Sequence, residues 1–332
     1  MHQRQPIKHP PNTAWRRHAS WIMSRNASYY SRLVIGAGAL SCATAFAYYR
    51  ERVFPSLVEG QHPLFATGRT YQTPADIYYQ KHKFIPPPRS IHTVLTRQDV
   101  PKESSGVLVV GDVHGCLDEL QELHQLAVEA NDNRQFEYVI LVGDLVNKGP
   151  HSAEVVQFVQ EQDRWLSVRG NHDNAALLGA LSEEKRASDS RYAWVNDLTD
   201  QDVGWLADLP YTIRISASYW QKQELNNDVL IVHAGLVPGV ALKDQTFESM
   251  VTLRQVSPSS ANGRRLWSTL WKGPEHVIFG HDAKSGLQQH DFATGLDSGC
   301  CYGKKLTGIL LPQRQLVSVQ AREVYSPIVE KS

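Results

Sequence analysis

The chain has 332 residues, of which 42% are hydrophobic and 20% charged, a composition that excludes a disordered, collagen-like or coiled-coil protein. Its 34 Lys/Arg balance its 34 Asp/Glu, so net charge gives no reason to expect a polyanionic partner, and we expect no DNA binding. Four cysteines without a CxxC spacing exclude a disulfide scaffold and a zinc-finger framework.

The first 50 residues are basic and contain an uncharged segment. They carry seven Lys/Arg and no Asp or Glu, and residues 33–49 (LVIGAGALSCATAFAYY) have no charge. As a helix these 17 residues reach roughly 25 Å, the short end of what spans a bilayer. We predict a basic cytosolic tail at 1–32, a transmembrane anchor at 33–49 and, by the positive-inside rule, a lumenal remainder.

Three other interpretations of this segment stay open. The Arg-rich, acid-free tail is also typical of a mitochondrial presequence. The Ala43-Thr44-Ala45 step suits a secretory cleavage site, although a basic region of 32 residues is long for a signal peptide. The third interpretation is a helix of small residues packed on the domain. Mitochondrial and cytosolic locations are therefore the alternatives to a lumenal one.

Apolar runs alternate with helical segments after a proline-punctuated linker, which we place at residues 50–104. The spacing of the apolar residues predicts the following strands and helices. The strands are 107–110, 138–142, 165–168, 229–232, 276–279, 305–311 and 315–320, and the helices are 117–130, 152–162 and 174–181. The alternation predicts an α/β domain over 105–325, and the later strands without helices indicate a second sheet, hence a sandwich.

Five loops that directly follow apolar strands contain metal-ligand residue types. They read GDVHG (111–115), GDLVNKG (143–149), RGNHD (169–173), VHAG (232–235) and GHD (280–282). Ligands in α/β folds bind at the carboxyl ends of strands, so we expect these loops to converge. Carboxylate, carboxamide and imidazole groups together suit Mn, Zn, Fe or Co. One such loop is usually only a turn, but five in order indicate a metal site.

The ordered blocks GDVHGC, GDLVNKGP, RGNHD, VHAG and FGHD resemble those of the phosphoprotein phosphatase superfamily of dinuclear metallophosphatases, over about residues 105–312. The segments 266–287 and 295–312 resemble its ApaH-like branch. Together with the N-terminal span, this block order is similar to fungal vacuolar endopolyphosphatases. The resemblance implies a calcineurin-like metallophosphoesterase β-sandwich flanked by helices, and a metal-dependent phosphohydrolase.

The resemblance also implies residue roles. The first metal would be bound by Asp112 and His114, both metals would be bridged by Asp144, and the second would be held by Asn171, His233 and His281. His172 would be the general acid, and Lys148 and Arg169 would bind substrate phosphate.

One departure from the protein phosphatases affects the acid. Asn147 and Lys148 stand where those enzymes have an Asp-Arg pair whose Asp orients the catalytic histidine. Asn147 can accept a hydrogen bond from the imidazole of His172 but cannot stabilise its cation as a carboxylate does. Phosphoanhydrides have better leaving groups and need less help from the acid. The departure therefore favours phosphoanhydride substrates over serine phosphoesters.

These observations predict a dinuclear-metal hydrolase of phosphoric anhydrides that cleaves inorganic polyphosphate internally, anchored in a membrane and facing the vacuolar lumen. The alternatives are a dinucleoside-polyphosphate or mRNA-cap hydrolase, a serine/threonine protein phosphatase, and a non-catalytic metal-binding anchor protein. The expected cofactors are two divalent ions per chain from among Zn, Mn, Co and Fe. The expected partners are polyphosphate or another phosphoanhydride, and the membrane through the N-terminal helix.

Overall fold

The computed structural model describes residues 85, 88–96, 106–220, 225–257 and 263–327. Its strands are β1 (His92–Leu95), β2 (Val107–Val110), β3 (Tyr138–Leu141), β4 (Trp165–Ser167), β5 (Thr212–Ile215), β6 (Val229–Val232), β7 (Gln255–Val256), β8 (Arg265–Leu266), β9 (His276–Phe279), β10 (Gln288–His290), β11 (Ala293–Gly295), β12 (Lys305–Leu311) and β13 (Gln315–Gln320). Its α-helices are α1 (Leu117–Ala130), α2 (Ser152–Glu161), α3 (Asn171–Leu181), α4 (Glu183–Ser188), α5 (Asp200–Asp208), α6 (Phe247–Thr252) and α7 (Trp267–Leu270).

Two mixed sheets form the body of the domain. The first has the order β13-β12-β2-β3-β4, in which β2, β3 and β4 are parallel. The second has the order β1-β5-β6-β9-β11-β10, in which β6, β9 and β11 are parallel. The sequences of β2 (VLVV), β3 (YVIL) and β6 (VLIV) are apolar throughout and buried throughout, as central strands covered on both faces require.

Helix α1 shows how the sequence pattern becomes packing. Leu120, Leu123 and Ala127 recur at helical spacing, are fully buried, and pack against β12 and β13. Burial of one leucine side chain contributes about 1.5–3 kcal/mol, so this stripe holds α1 on the first sheet. The second sheet has its own core around Trp267, whose ring lies 4.9 Å from that of Phe279. The parallel strands of both sheets, and therefore their carboxyl ends, are held in place by these packed cores.

The structure follows the predicted sandwich of sheets flanked by helices, and it differs locally at the start of α3 and in the linker. Helix α3 begins at Asn171 instead of residue 174, because Asp173 accepts the backbone N–H of Gly170 and caps the helix. Strand β1 lies inside the predicted linker and pairs in parallel with β5 at the edge of the second sheet. A four-residue edge strand is too short to show a period, so the sequence pattern gave no sign of it.

The predicted tail, the predicted anchor and the linker up to residue 84 lie outside the described residues. The lumenal location, which depends on them, stays a prediction. Within the described ranges we find no helix that combines the length and the apolar character needed to cross a bilayer.

Candidate metal centre

The loops after β2, β3, β4, β6 and β9 meet at one edge of the two sheets. Backbone hydrogen bonds join them, such as His114 N–H to Asp144 O (2.8 Å) and Gly280 N–H to His233 O (2.7 Å). The backbone N–H of His281 lies 3.0 and 3.1 Å from the two carboxylate oxygens of Asp112. Side chains contributed by both sheets therefore lie in one cluster, as the strand-end rule predicts.

Close approach of these loops depends on glycine. A Cβ on Gly280 would lie 1.9 Å from Asp112 Oδ1, and one on Gly170 would lie 2.2 Å from Asp144 Oδ1. The backbone also bends sharply at the site, since φ is 48° at His114, 50° at Asp144 and 69° at His281. L-residues rarely adopt such positive φ values, and strained residues of this kind collect at functional sites.

Two histidines direct nitrogen lone pairs at the carboxylate of Asp144. Nδ1 of His114 lies 3.0 Å from Val146 O, and Nδ1 of His233 lies 2.8 Å from Val142 O. Because a carbonyl oxygen only accepts, each Nδ1 carries the ring proton and each Nε2 keeps its lone pair. The Nε2 atoms of His114 and His233 face Asp144 oxygens at 3.5 and 3.3 Å.

A cation placed among these facing acceptors would remove their electrostatic repulsion. Burial lowers the pKa of His233 to about 3 and also lowers the pKa of His114, so both rings are neutral near pH 7. Asn171 Oδ1 adds a third acceptor, 3.1 Å from His233 Nε2. The ammonium of Lys148, 2.8 Å from His114 Nε2, supplies positive charge on that side. On the other side the acceptors of His233, Asn171 and Asp144 face one another and repel unless a positive ion lies among them. The residues present therefore fit a metal centre, with Asp144 shared between its two halves.

The other two predicted ligands support the same conclusion. The imidazole of His281 donates to the backbone of Thr252, while its Nε2 is buried without a hydrogen-bond partner. A buried polar atom without a partner is costly, and a metal ion would satisfy it. Burial, together with the nearby Asp297 and Asp144 carboxylates, raises the pKa of Asp112 well above its usual range. Bound cations would offset this crowding of negative charge.

His172 stands beside this cluster, and its partner corrects one expectation. The indole Nε1–H of Trp194 donates to Asn147 Oδ1 at 3.0 Å. The amide nitrogen of Asn147 therefore faces His172, lying 3.3 Å from its Nδ1 and 3.1 Å from its backbone oxygen. Asn147 thus donates to the imidazole, whereas the sequence analysis expected it to accept. Nδ1 of His172 is an acceptor, and Nε2 carries the proton.

This hydrogen bond opposes the charged form of His172. Burial is the main reason that the pKa of His172 falls to about 4, even though the negative charge of Asp144 works in the opposite direction. A donor at Nδ1 further disfavours the imidazolium ion, which needs acceptors at both nitrogens. In the free protein His172 is therefore a neutral Nε2–H donor at pH 7.

The two predicted phosphate-binding cations differ in their placement. Lys148 lines the cleft, with Nζ 2.8 Å from His114 Nε2 and 5.1 Å from the ring centroid of Tyr302. Arg169 is fully buried, donates to Ala207 O and lies 5.2 Å from the ring centroid of Tyr211. A guanidinium enclosed beneath α5 and β5 cannot contact substrate, so the expected phosphate-binding role of Arg169 is corrected to a structural one.

The structure adds three residues that the sequence analysis did not assign. Trp194 orients Asn147 through its indole N–H. Asp297, buried and close to Asp112, lies two residues after β11, so the strand-end rule could have found it. Asp173 is fully buried behind Asp144 and accepts its backbone N–H at 3.0 Å.

The cluster opens onto a cleft of about 910 Å³. The metal-centre side chains on its wall are His114, Asp144, Asn171 and His281, accompanied by His172. Cations line it as well, namely Lys148, Arg254, Lys284 and Lys304. Its volume is that of a typical small-molecule site. A phosphorylated ligand placed here would meet positive charge from several directions.

Comparisons with known proteins agree with this geometry. The profile of the calcineurin-like phosphoesterases matches residues 106–310. The chain is 26% identical over 232 residues to PrpE, an asymmetrical bis(5'-nucleosyl)-tetraphosphatase of Halalkalibacterium halodurans, covering 65% of this chain and 94% of the relative. It is 25% identical over 280 residues to a symmetrical bis(5'-nucleosyl)-tetraphosphatase of Aromatoleum aromaticum, covering 65% of this chain and 97% of that one.

A solved structure extends the comparison to the fold. A crystal structure provisionally described as a diadenosine tetraphosphatase is 30% identical to the chain, with a TM-score of 0.57. The match covers 70% of this chain and 98% of the other. The predicted α/β metallophosphoesterase sandwich is thereby confirmed.

Proposed function

We propose that this chain, which belongs to the calcineurin-like phosphoesterase family and is a metal-dependent phosphohydrolase, acts on dinucleoside polyphosphates. Its PrpE and symmetrical relatives are tetraphosphatases of such substrates, which supports this alternative over the internal cleavage of inorganic polyphosphate predicted from the sequence. The observation that favours an anhydride over a phosphoester is the hydrogen bond from the amide of Asn147 to His172, and the relatives favour a dinucleoside polyphosphate among the anhydrides.

Members of this family use a dinuclear divalent metal centre, and the side chains of this chain divide naturally between two ions. Asp112 and His114 would hold one, and Asn171, His233 and His281 would hold the other. Asp144 would be shared by both, because one of its oxygens faces His114 and the other faces His233. When bound, the ions supply Lewis acidity that activates water and neutralises negative charge on phosphoryl oxygens.

The chain's own residues orient this centre. The backbone carbonyls of Val146 and Val142 fix the tautomers of His114 and His233, so the lone pairs of both rings point inward. The backbone N–H of His172 donates to Asp144 Oδ1 at 2.8 Å and holds the shared carboxylate in place. Lys148 and the other cleft cations attract the phosphate chain of the substrate.

His172 determines which leaving groups depart readily. Its neutral Nε2–H donates a hydrogen bond to the leaving oxygen but does not give up that proton easily. A phosphate leaving from an anhydride is stable as an anion and needs only such a hydrogen bond. The alkoxide leaving from a phosphoserine needs a full proton. The site therefore favours anhydrides over the phosphoesters of a protein phosphatase.

The test is a comparison of four substrates on the full chain with Mn²⁺, Co²⁺ or Zn²⁺ added. We expect diadenosine tetraphosphate to have the highest kcat/KM and a phosphopeptide the lowest, with inorganic polyphosphate and capped RNA as the competing outcomes. Asp144→Asn removes a shared ligand and should abolish hydrolysis, which controls for contaminating phosphatases. Rapid shortening of polyphosphate while diadenosine tetraphosphate stays intact would replace the proposal with the original sequence prediction.

A further inference from the structure

A second cavity of about 760 Å³ adjoins the catalytic cleft. The segment 246–255, Arg264 and the loop after β9 line it. Arg254, Asp282 and Lys284 line both this cavity and the cleft, so the two spaces meet along these side chains, which we call the ridge. A ligand that extends past the metal centre in this direction crosses the ridge.

The ridge is anchored to the metal centre. Arg254 donates through Nη2 to the backbone oxygen of His281 at 2.9 Å, and its Nε lies 3.6 Å from Asp282 Oδ1. Asp282 is buried and accepts from the Ser285 hydroxyl at 2.6 Å. The side chain of Arg254 is nevertheless 49% exposed. Its guanidinium is therefore held in position while one side remains open to a ligand.

Lys284 supplies a second cation on the ridge. Its side chain is exposed, and within the described ranges it forms no ion pair with a carboxylate. Phosphate groups are bound by fixed or reachable cations of this kind, and each cation along a polyphosphate chain adds one contact. The ridge thus suits the anionic middle of a long substrate.

The second cavity suits the sugar that follows the phosphate chain of such a substrate. Arg264 adds an exposed cation at the cavity wall, and Thr252, Gln255 and Glu248 offer groups that bind sugar hydroxyls. The described lining contains no aromatic side chain, so a base is not held there by stacking. The cavity therefore matches a sugar phosphate more closely than it matches any particular base.

We propose that the second cavity binds the distal nucleoside phosphate of a dinucleoside polyphosphate while the ridge carries the phosphate chain. This inference rests on the proposed function, because it assumes a substrate with a second nucleotide. Pockets that bind one small molecule measure about 300–1,000 Å³, so the 910 Å³ cleft and the 760 Å³ cavity provide one space for each half. A simple phosphoester would occupy the cleft alone.

The test variant is Arg264→Met, which removes a cation that lines the second cavity and does not line the catalytic cleft. The measured quantity is the ratio of kcat/KM for diadenosine tetraphosphate to kcat/KM for p-nitrophenyl phosphate. We expect this ratio to fall by about tenfold or more, mainly through KM. Diguanosine tetraphosphate should show the same fall, because the cavity recognises no base. Raising salt should weaken binding of the long substrate more in the wild type than in the variant.

The matched control is Arg134→Met, a basic residue ahead of β3 and so at the opposite end of the sheet from the metal centre. It should leave the ratio unchanged, and thermal unfolding of all variants confirms that they fold. An unchanged ratio in Arg264→Met, or an equal loss on both substrates, overturns the inference while the proposed function stands. A wild type that hydrolyses p-nitrophenyl phosphate but no dinucleoside polyphosphate overturns both.

Discussion

Asp173→Asn tests whether a buried carboxylate joins two metal-binding loops. The Asp173 side chain is fully buried and accepts backbone N–H groups from Asp144 (3.0 Å), Leu145 (3.0 Å) and Gly170 (2.8 Å). The first two donors belong to the loop after β3 and the third to the loop after β4. Asp173 thus fixes the shared ligand Asp144 relative to Asn171, which begins α3.

The cost of the substitution can be worked out from this geometry. An asparagine in its better orientation keeps the hydrogen bonds from Asp144 and Gly170, which share one oxygen, and turns its NH₂ group toward the N–H of Leu145. One charge-assisted hydrogen bond, worth about 1.5–3 kcal/mol, is lost, and a buried donor is left unpaired at about 1–3 kcal/mol. We expect a loss of about 2.5–6 kcal/mol of unfolding free energy and metal binding weaker by about 10- to 100-fold.

Urea unfolding and calorimetric titration with Mn²⁺ or Zn²⁺ measure the two effects separately. The matched control is Asp202→Asn, because Asp202 is also buried, occupies the equivalent third position of α5 and accepts from Thr199 N–H at 2.8 Å. Both variants should be less stable, but only Asp173→Asn should bind metal more weakly. Metal affinity equal to that of the wild type in folded Asp173→Asn would refute the positioning role.

Three further predictions concern single substitutions. Asn147→Asp places an acceptor near Nδ1 of His172, so the imidazolium form of His172 should become more stable. The kcat on phosphoesters should then rise relative to the kcat on anhydrides. An unchanged ratio of the two kcat values would contradict this prediction. Gly280→Ala forces a Cβ to within 1.9 Å of Asp112 Oδ1, so elemental analysis should show metal loss, and full occupancy would argue against it. Burial lowers the pKa of His276 to about 4 from the usual 6.5, so the unfolded chain binds this proton at a higher pH than the folded protein does. The free energy of unfolding should therefore decline by up to about 3 kcal/mol as pH falls from 6.5 to 4. His276→Gln should reduce that decline, as measured by urea unfolding.

Much of the fold could be read from apolar runs. The segments at 107–110, 229–232, 276–279 and 305–311 are strands with the predicted bounds, because short segments in which apolar residues predominate have to be buried in a globular chain. Strand β5 (TIRI) was not predicted, since Arg214 interrupts its pattern. The structure accounts for this arginine, which pairs at the surface with Asp228 and Glu275 at 2.8 and 3.2 Å.

The sequence by itself determined which chemical groups stand at the strand ends and in what order. The carboxyl ends of parallel strands lie at the same edge of a sheet regardless of the other elements. Asp112, His114 and Asp144 could therefore be expected to lie close together. Tertiary structure alone decided the burial of Arg169 and the orientation of Asn147. Arg169 packs on Tyr211, and Asn147 is turned by Trp194, 47 residues further along the chain. The sequence specifies which chemical group each side chain carries. The orientation of an amide or a guanidinium depends on neighbours that are distant in the sequence and come into contact only when the chain folds.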